Sequence, residues 1–183
     1  MTKNFVYLDT ETTGLLPSDK IVEIAIVGMD GEVLVDSLVN PEKPIGYFAS
    51  QVHGIYDDMV EDTPTIEELK DEIIEAVKGK DVVIYNSGYD MQYLPFIREH
   101  IASVNCAMKR YASFSDRNQN VKLLTATIET NYRWEGDAHR ALTDALATRH
   151  IWGVMVNKDH RDKHMKCRSC EKSFNGILRT CAC

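Results

Sequence analysis

Residues 4–14 read Asn4-Phe5-Val6-Tyr7-Leu8-Asp9-Thr10-Glu11-Thr12-Thr13-Gly14. An apolar run bounded by polar residues makes 4–8 a short buried strand. Asp9 and Glu11 follow at once. Side chains two apart on an extended chain share a face, so these carboxylates converge. Carboxylates that close repel unless a cation neutralises them, and hard divalent ions prefer oxygen ligands. Asp-x-Glu is also common at solvated strand ends, so the pair alone fits either a cation site or a solvated strand end. Thr12, Thr13 and Gly14 add a small-residue turn that lets backbone amides approach a substrate closely.

Moving outward, residues 21–29 alternate and then run apolar, Asp30-Gly31 is a two-residue hairpin signal, and 32–39 alternate again. These segments predict three antiparallel neighbours, followed by a loop over 40–44. Thr65-Ile66-Glu67-Glu68 is a capping box opening a helix with Ile66, Leu69, Ile73 and Val77 on one stripe and an end near Gly79. Residues 81–85 read as a fourth, fully buried strand. A second helix starts near Tyr89, with Pro95 confined to an early turn or a kink. Residues 140–156 give a third, packing through Ala141, Leu142, Ala145, Leu146 and Trp152. The order β-β-β-α-β-α-α predicts an α/β fold, a mixed sheet flanked by helices.

Two further acidic positions join the first pair. Asp90 follows the fourth strand in Tyr85-Asn86-Ser87-Gly88-Tyr89-Asp90, and the crevice beyond strand ends is where open α/β sheets bind ligands. A first-turn acid favoured by the helix dipole is the plainer reading of Asp90 alone. His139 and Asp144 lie five apart at the start of the third helix, beside Ala141, Ala145 and Ala147. That is the face of a helix that approaches something closely while presenting one charge. Singly, His139 is a helix-start polar residue and Asp144 a surface acid; the three acidic segments together are harder to account for that way.

Asp-x-Glu after the first strand, Asn-x-x-x-Asp after a later one and His-x4-Asp on a C-terminal helix resemble the three motifs of the DEDDh 3′→5′ exonuclease superfamily. Its members include epsilon-type proofreading subunits, ribonuclease T and exodeoxyribonuclease X. The resemblance covers roughly residues 5–156, including the segment from Val39-Asn40-Pro41 to Val52-His53-Gly54-Ile55, which looks like the family's loop before the first helix. It implies a ribonuclease H-like fold, two Mg²⁺ or Mn²⁺ ions, and release of nucleoside 5′-monophosphates from 3′ ends. By position, it implies that Asp9 bridges both ions, Glu11 and Asp144 complete the tighter site, Asp90 supports the second through water, and His139 is the general base. Two ions ~3.5–4 Å apart can stabilise both the attacking and the leaving oxygen of an in-line displacement, and a near-neutral histidine suits the proton transfer. Tyr89 departs from the phenylalanine usual before the second-motif aspartate, a mild change. The resemblance further implies that Thr10, Thr12, Gly14 and Leu15 hold the terminal nucleotide, with Leu15 or Val52 wedging beside its base and His53 nearby. For Val52 and His53, loop packing is an equal alternative.

Charge and cysteine are unevenly spread. The chain has 183 residues, 21 Lys plus Arg and 28 Asp plus Glu, a net charge of −7. Residues 1–150 hold 14 basic and 25 acidic side chains, whereas 151–183 hold seven basic and three acidic. At 44% hydrophobic and 27% charged, the composition excludes wholesale disorder. No apolar stretch approaches the ~18 residues of a membrane span, and the short N-terminal run is no signal peptide, so a cytoplasmic protein without membrane contacts is expected. The composition change predicts an exonuclease domain over 1–156 and a small basic, Cys-rich tail over 157–183. Cys167, Cys170, Cys181 and Cys183 suggest a structural Zn²⁺ site, with His160 or His164 as substitute ligands and free or disulfide-bonded thiols as the alternative. Cys106 is expected as a buried apolar residue.

Two functions are in view: a metal-dependent 3′→5′ exonuclease on single-stranded or frayed nucleic acid, DNA ahead of RNA, or a non-catalytic nucleic-acid-binding or replication and repair adaptor module. The intact set Asp9, Glu11, Asp90, His139 and Asp144 favours the enzyme. A replication or repair protein is a candidate partner, and oligomeric state is not legible.

Overall fold

A computed structural model describes residues 4–134 and 136–171, with side chains described up to Asn157 along the last helix. Five strands form one mixed sheet in the order β3-β2-β1-β4-β5: β1 (Phe5–Thr12), β2 (Ile21–Gly28), β3 (Val33–Leu38), β4 (Asp81–Ile84) and β5 (Ser103–Cys106). The first three pair antiparallel, and β4 lies parallel to both β1 and β5. The expected two-residue hairpin is one residue longer: Met29 to Gly31 bridge Gly28 and Glu32, whose N–H and C=O close the loop at 2.8 Å. Gly31 has φ +93°, a conformation in which glycine avoids the Cβ penalty.

Helices cover both faces. On one face α3 (Lys70–Val77) packs Ile73 and Val77 against Val6, Leu8, Ile24, Ile26, Val82 and Ile84. On the other, α5 (Ala107–Phe114), α6 (Leu123–Glu129) and α7 (Ala141–Glu171) pack Tyr111, Ala126, Ile151, Trp152 and Met155 against Phe5, Tyr7, Ala25, Val27 and Val83. Burial on both faces explains why β2 is apolar almost throughout.

Several expectations change. The capping box forms, Glu68 accepting from both the backbone N–H and the hydroxyl of Thr65, but regular α-helix begins only at Lys70. No long helix follows Tyr89: a single turn, α4 (Ser87–Asp90), gives way to a 3₁₀ turn at Pro95–Ile97, because proline cannot donate to a helical ladder. The segment 39–55, expected as a loop before the first helix, contains α1 (Tyr47–His53), and a further short helix, α2 (Asp57–Val60), follows it. Cys106 is only half-buried, at the end of β5, with its thiol 3.4 Å from the Tyr85 carbonyl. The backbone of α7 continues through the composition change near Val156 to Glu171. Side chains of Cys167 and Cys170 and the whole of Cys181 and Cys183 lie outside the described residues. Among the described residues, no helix is long and apolar enough to cross a membrane.

Ile26 is fully buried between β1 and β3 and Leu124 is 57% exposed. Ile26→Ala is expected to cost about 2–5 kcal/mol and Leu124→Ala no more than about 0.5 kcal/mol, measured by urea denaturation. Equal losses at both positions would contradict this packing.

Candidate active site

The alternation of β1 decides where the acids point. Phe5 and Tyr7 enter the core beneath α5, α6 and α7, while Val6 and Leu8 enter the opposite one. Asp9 and Glu11 therefore continue the first series, toward α7. Both lie inside the strand, not beyond it, with a break in pairing register between Glu11 and Thr12.

From the other side, α7 brings Asp144. Ala141 and Ala145 are wholly buried, and their methyl groups let the helix approach the sheet closely. Glu11, His139 and Asp144 present possible ligand atoms within 4.8 Å of one another. His139 is exposed and holds φ +63°, a left-handed conformation that costs a non-glycine residue of order 1–3 kcal/mol. In that conformation its backbone N–H donates to Asp144 Oδ1 at 3.2 Å. Asp90, the buried last residue of α4, accepts from the Thr10 hydroxyl at 2.8 Å. Thr10, expected in a nucleotide contact, is thus engaged with an acid of the cluster.

Electrostatics confirm that the four acids crowd. Burial, then the charges of Asp90, Asp144 and Glu11, push the Asp9 carboxyl well above the usual carboxylate range. Glu11 is raised to about 9 by burial and then by Asp144, with Glu23 and Asp90 adding to it. Asp90 and Asp144 rise to about 6 through burial, moderated by the Thr10 hydrogen bond and by His139 respectively. Arg140 lowers Glu11, but its guanidinium is engaged elsewhere. Oxygen-rich acids drawn together and short of a counter-charge fit hard divalent cations.

The engaged partner is Glu23, a residue not singled out from the sequence. It is 3% exposed, sits directly across from Glu11 in the β1–β2 register, and accepts from Arg140 Nε at 2.9 Å and from the Ala141 N–H at 2.8 Å. Arg140 immediately precedes α7, where a capping acceptor is wanted and a guanidinium cannot serve. The missing acceptor arrives from β2, 118 residues away in the chain. The available signal was one acid inside the apolar run Ile21-Val22-Glu23-Ile24-Ala25.

The Thr12–Gly14 turn is clamped from three sides. Tyr89 Oη donates to the Gly14 carbonyl at 2.8 Å and lies 2.6 Å from the Thr12 hydroxyl, so the tyrosine in place of phenylalanine has a structural task. Asp19 accepts from the Thr13 hydroxyl and the Leu16 N–H, and Lys43 holds Asp19 at 2.9 Å. His53 lies beneath the turn: its Nδ1 accepts from the Ile55 N–H, which leaves Nε2 to donate to the Thr12 carbonyl at 3.2 Å. Both ring nitrogens are occupied by backbone, and burial lowers the pKa. Leu15 and Val52 are 83% and 54% exposed, with Leu16, Tyr47 and Phe48 as further exposed apolar side chains of the same two segments.

Because each raised carboxyl keeps its proton to higher pH in the folded chain, the native state binds more protons than the unfolded one between about pH 4 and 9, and metal-free stability falls with rising pH. In EDTA the melting temperature is expected to drop between about pH 6 and pH 8, and Mg²⁺ to restore it at the higher pH. Asp144→Asn should raise the metal-free melting temperature at the higher pH, by roughly 2–4 °C per kcal/mol of repulsion relieved. A flat or rising profile in EDTA would contradict the crowding.

Comparison with known proteins covers the same ground. The chain matches the RNase T exonuclease family over residues 6–151. It is 32% identical over 164 residues to an uncharacterized exonuclease, CP81, of Escherichia phage 186, spanning 78% of this chain and 83% of that one. It is 32% identical over 165 residues to the PolC-type DNA polymerase III of Caldanaerobacter subterraneus, spanning 84% of this chain but 12% of the polymerase. Among solved structures, exonuclease X in complex with 5′-overhanging duplex DNA is similar with a TM-score of 0.70 at 28% identity, covering 84% of this chain and 92% of that one. The ribonuclease H-like sheet, the order of the acidic segments along it and the sequence match all fall on the same residues, and the chain belongs to the RNase T exonuclease family.

Proposed function

We propose that this chain is a 3′→5′ exonuclease that uses two divalent ions, Mg²⁺ or Mn²⁺, to trim single-stranded or frayed ends, DNA ahead of RNA, into nucleoside 5′-monophosphates. The observation that carries it is the convergence of Asp9, Glu11, Asp90 and Asp144, with His139 at their edge, at one end of the sheet. In this proposal Asp9, Glu11 and Asp144 would hold one ion, and Asp90 together with Asp9 would hold the other. Bound there, the ions supply Lewis-acid stabilisation of the attacking and leaving oxygens. His139, solvent-exposed yet tied to Asp144 through its backbone, accepts the proton of the attacking water. Thr12, Gly14 and the projecting Leu15 and Val52 seat the terminal nucleotide, since stacking on an apolar side chain tolerates any base. Thr10 and His53 act beneath that seat, through Asp90 and the Thr12 carbonyl.

The DNA bound in the exonuclease X structure supports DNA as the substrate, and the match within a PolC-type polymerase favours a replication or repair setting with a protein partner of that machinery. Residues 1–156 form the catalytic unit in this proposal. The basic stretch 157–183 is an accessory segment, with Cys167, Cys170, Cys181 and Cys183 as zinc ligands.

A 5′-labelled single-stranded oligonucleotide incubated with Mg²⁺ should give a descending ladder, and a 3′-labelled one should release labelled mononucleotide. Asp9→Ala is expected to abolish both, and His139→Ala to lower kcat by about 10²–10⁴-fold. A wild-type protein no faster than Asp9→Ala, or mononucleotide released first from the 5′-labelled strand, would overturn the assignment.

A further inference from the structure

Glu23 and Arg140 raise a question that the proposed metal ligands do not answer. Glu11 and Glu23 face each other across adjacent strands, where like charges directly opposite destabilise a sheet. A single guanidinium serves this pair unequally. Arg140 donates to Glu23 through both Nε and a terminal nitrogen, with a further Nε contact at 3.1 Å to the second carboxylate oxygen. It also lies near enough to Glu11 and to Asp36 on β3 to be felt by both. Glu23 further accepts the Ala141 N–H, so its position and that of the α7 start are fixed together.

We propose that Glu23 is a positioning residue: it holds Arg140 away from Glu11, keeping that carboxylate free for a divalent cation, while it sets the start of α7 that carries His139 and Asp144. Without the Glu23 charge, Arg140 is a partly buried cation whose remaining carboxylate neighbours are Glu11 and Asp36. A guanidinium in that position turns to them, because they are the remaining opposite charges that act on it. On Glu11 it occupies the oxygens a metal needs and adds a positive charge beside the site. The inference rests on the two-metal function proposed above and names what regulates access to it.

The test is Mn²⁺ binding to the full 183-residue chain, followed by electron paramagnetic resonance of the free ion, with Asp9→Ala as the blank for sites elsewhere. Glu23→Gln keeps the shape and an acceptor for Ala141 but removes the charge. It is expected to weaken Mn²⁺ binding by about 10–100-fold, the usual effect of disturbing groups behind a ligand. Arg140→Gln, which leaves an extra acid near the site, should bind at least as tightly as wild type, and the double variant should return to within about threefold of it. A merely structural loosening of α7 would weaken all three. If Glu23→Gln binds Mn²⁺ like wild type, or the double variant stays as weak as Glu23→Gln, the inference falls. Should Glu23→Gln fail to fold, Arg140→Gln and the double variant decide alone: weakened binding in either overturns it. If wild type itself binds no more Mn²⁺ than Asp9→Ala, the metal-dependent function falls first and this inference with it.

Discussion

Four carboxylates meet where β1, α4 and α7 converge, and each would be more stable in water than beside the others. Burial and then the charges of their neighbours hold Asp9 and Glu11 at a proton affinity far above that of a free carboxylate, and burial raises Asp90 and Asp144. The surrounding structure supplies the compensation. Strand alternation fixes Asp9 and Glu11, wholly buried alanines let α7 come close enough to place Asp144, and a threonine hydroxyl holds Asp90. Two apolar cores, one on each sheet face, supply the stabilisation against which this local cost is set.

Repulsion also accounts for several polar details that hydrophobic packing alone would not produce. Glu23 caps α7 from β2 because the residue at the cap position is itself a cation, and the cation in turn neutralises Glu23. His139 adopts a left-handed backbone so that its N–H reaches Asp144. The turn that follows Glu11 is tied down by Tyr89, Asp19 and His53, all acting on backbone or on threonine hydroxyls. Each device orients a group at the cluster's edge without adding a further free charge to it.

Much of this was legible in the sequence, for physical reasons. The alternating and apolar runs around Asp30-Gly31 located β2 and β3, strand alternation paired Asp9 with Glu11, and the resemblance to a known set of motifs joined Asp90, His139 and Asp144 to them. The helix from Tyr89 failed because Pro95 removes a donor and breaks the run into short turns. β5 and the short helices α1, α2, α5 and α6 were missed: each is only four to eight residues long and takes its place through contacts remote in sequence. Glu23 was hidden for the same reason, its partner lying 117 residues away. Tyr89 was read as a mild variation, whereas its hydroxyl is what reaches Gly14. The net charge of −7 was a poor guide to a polyanionic partner, because part of that acidity sits in a cluster suited to cations.

The most direct measurement is an anomalous difference map from crystals of the protein soaked in Mn²⁺. Peaks enclosed by Asp9, Glu11, Asp90 and Asp144 are the predicted result. A map empty at that cluster under saturating Mn²⁺, with the four carboxylates unmoved, would contradict the claim that their convergence exists to hold divalent ions.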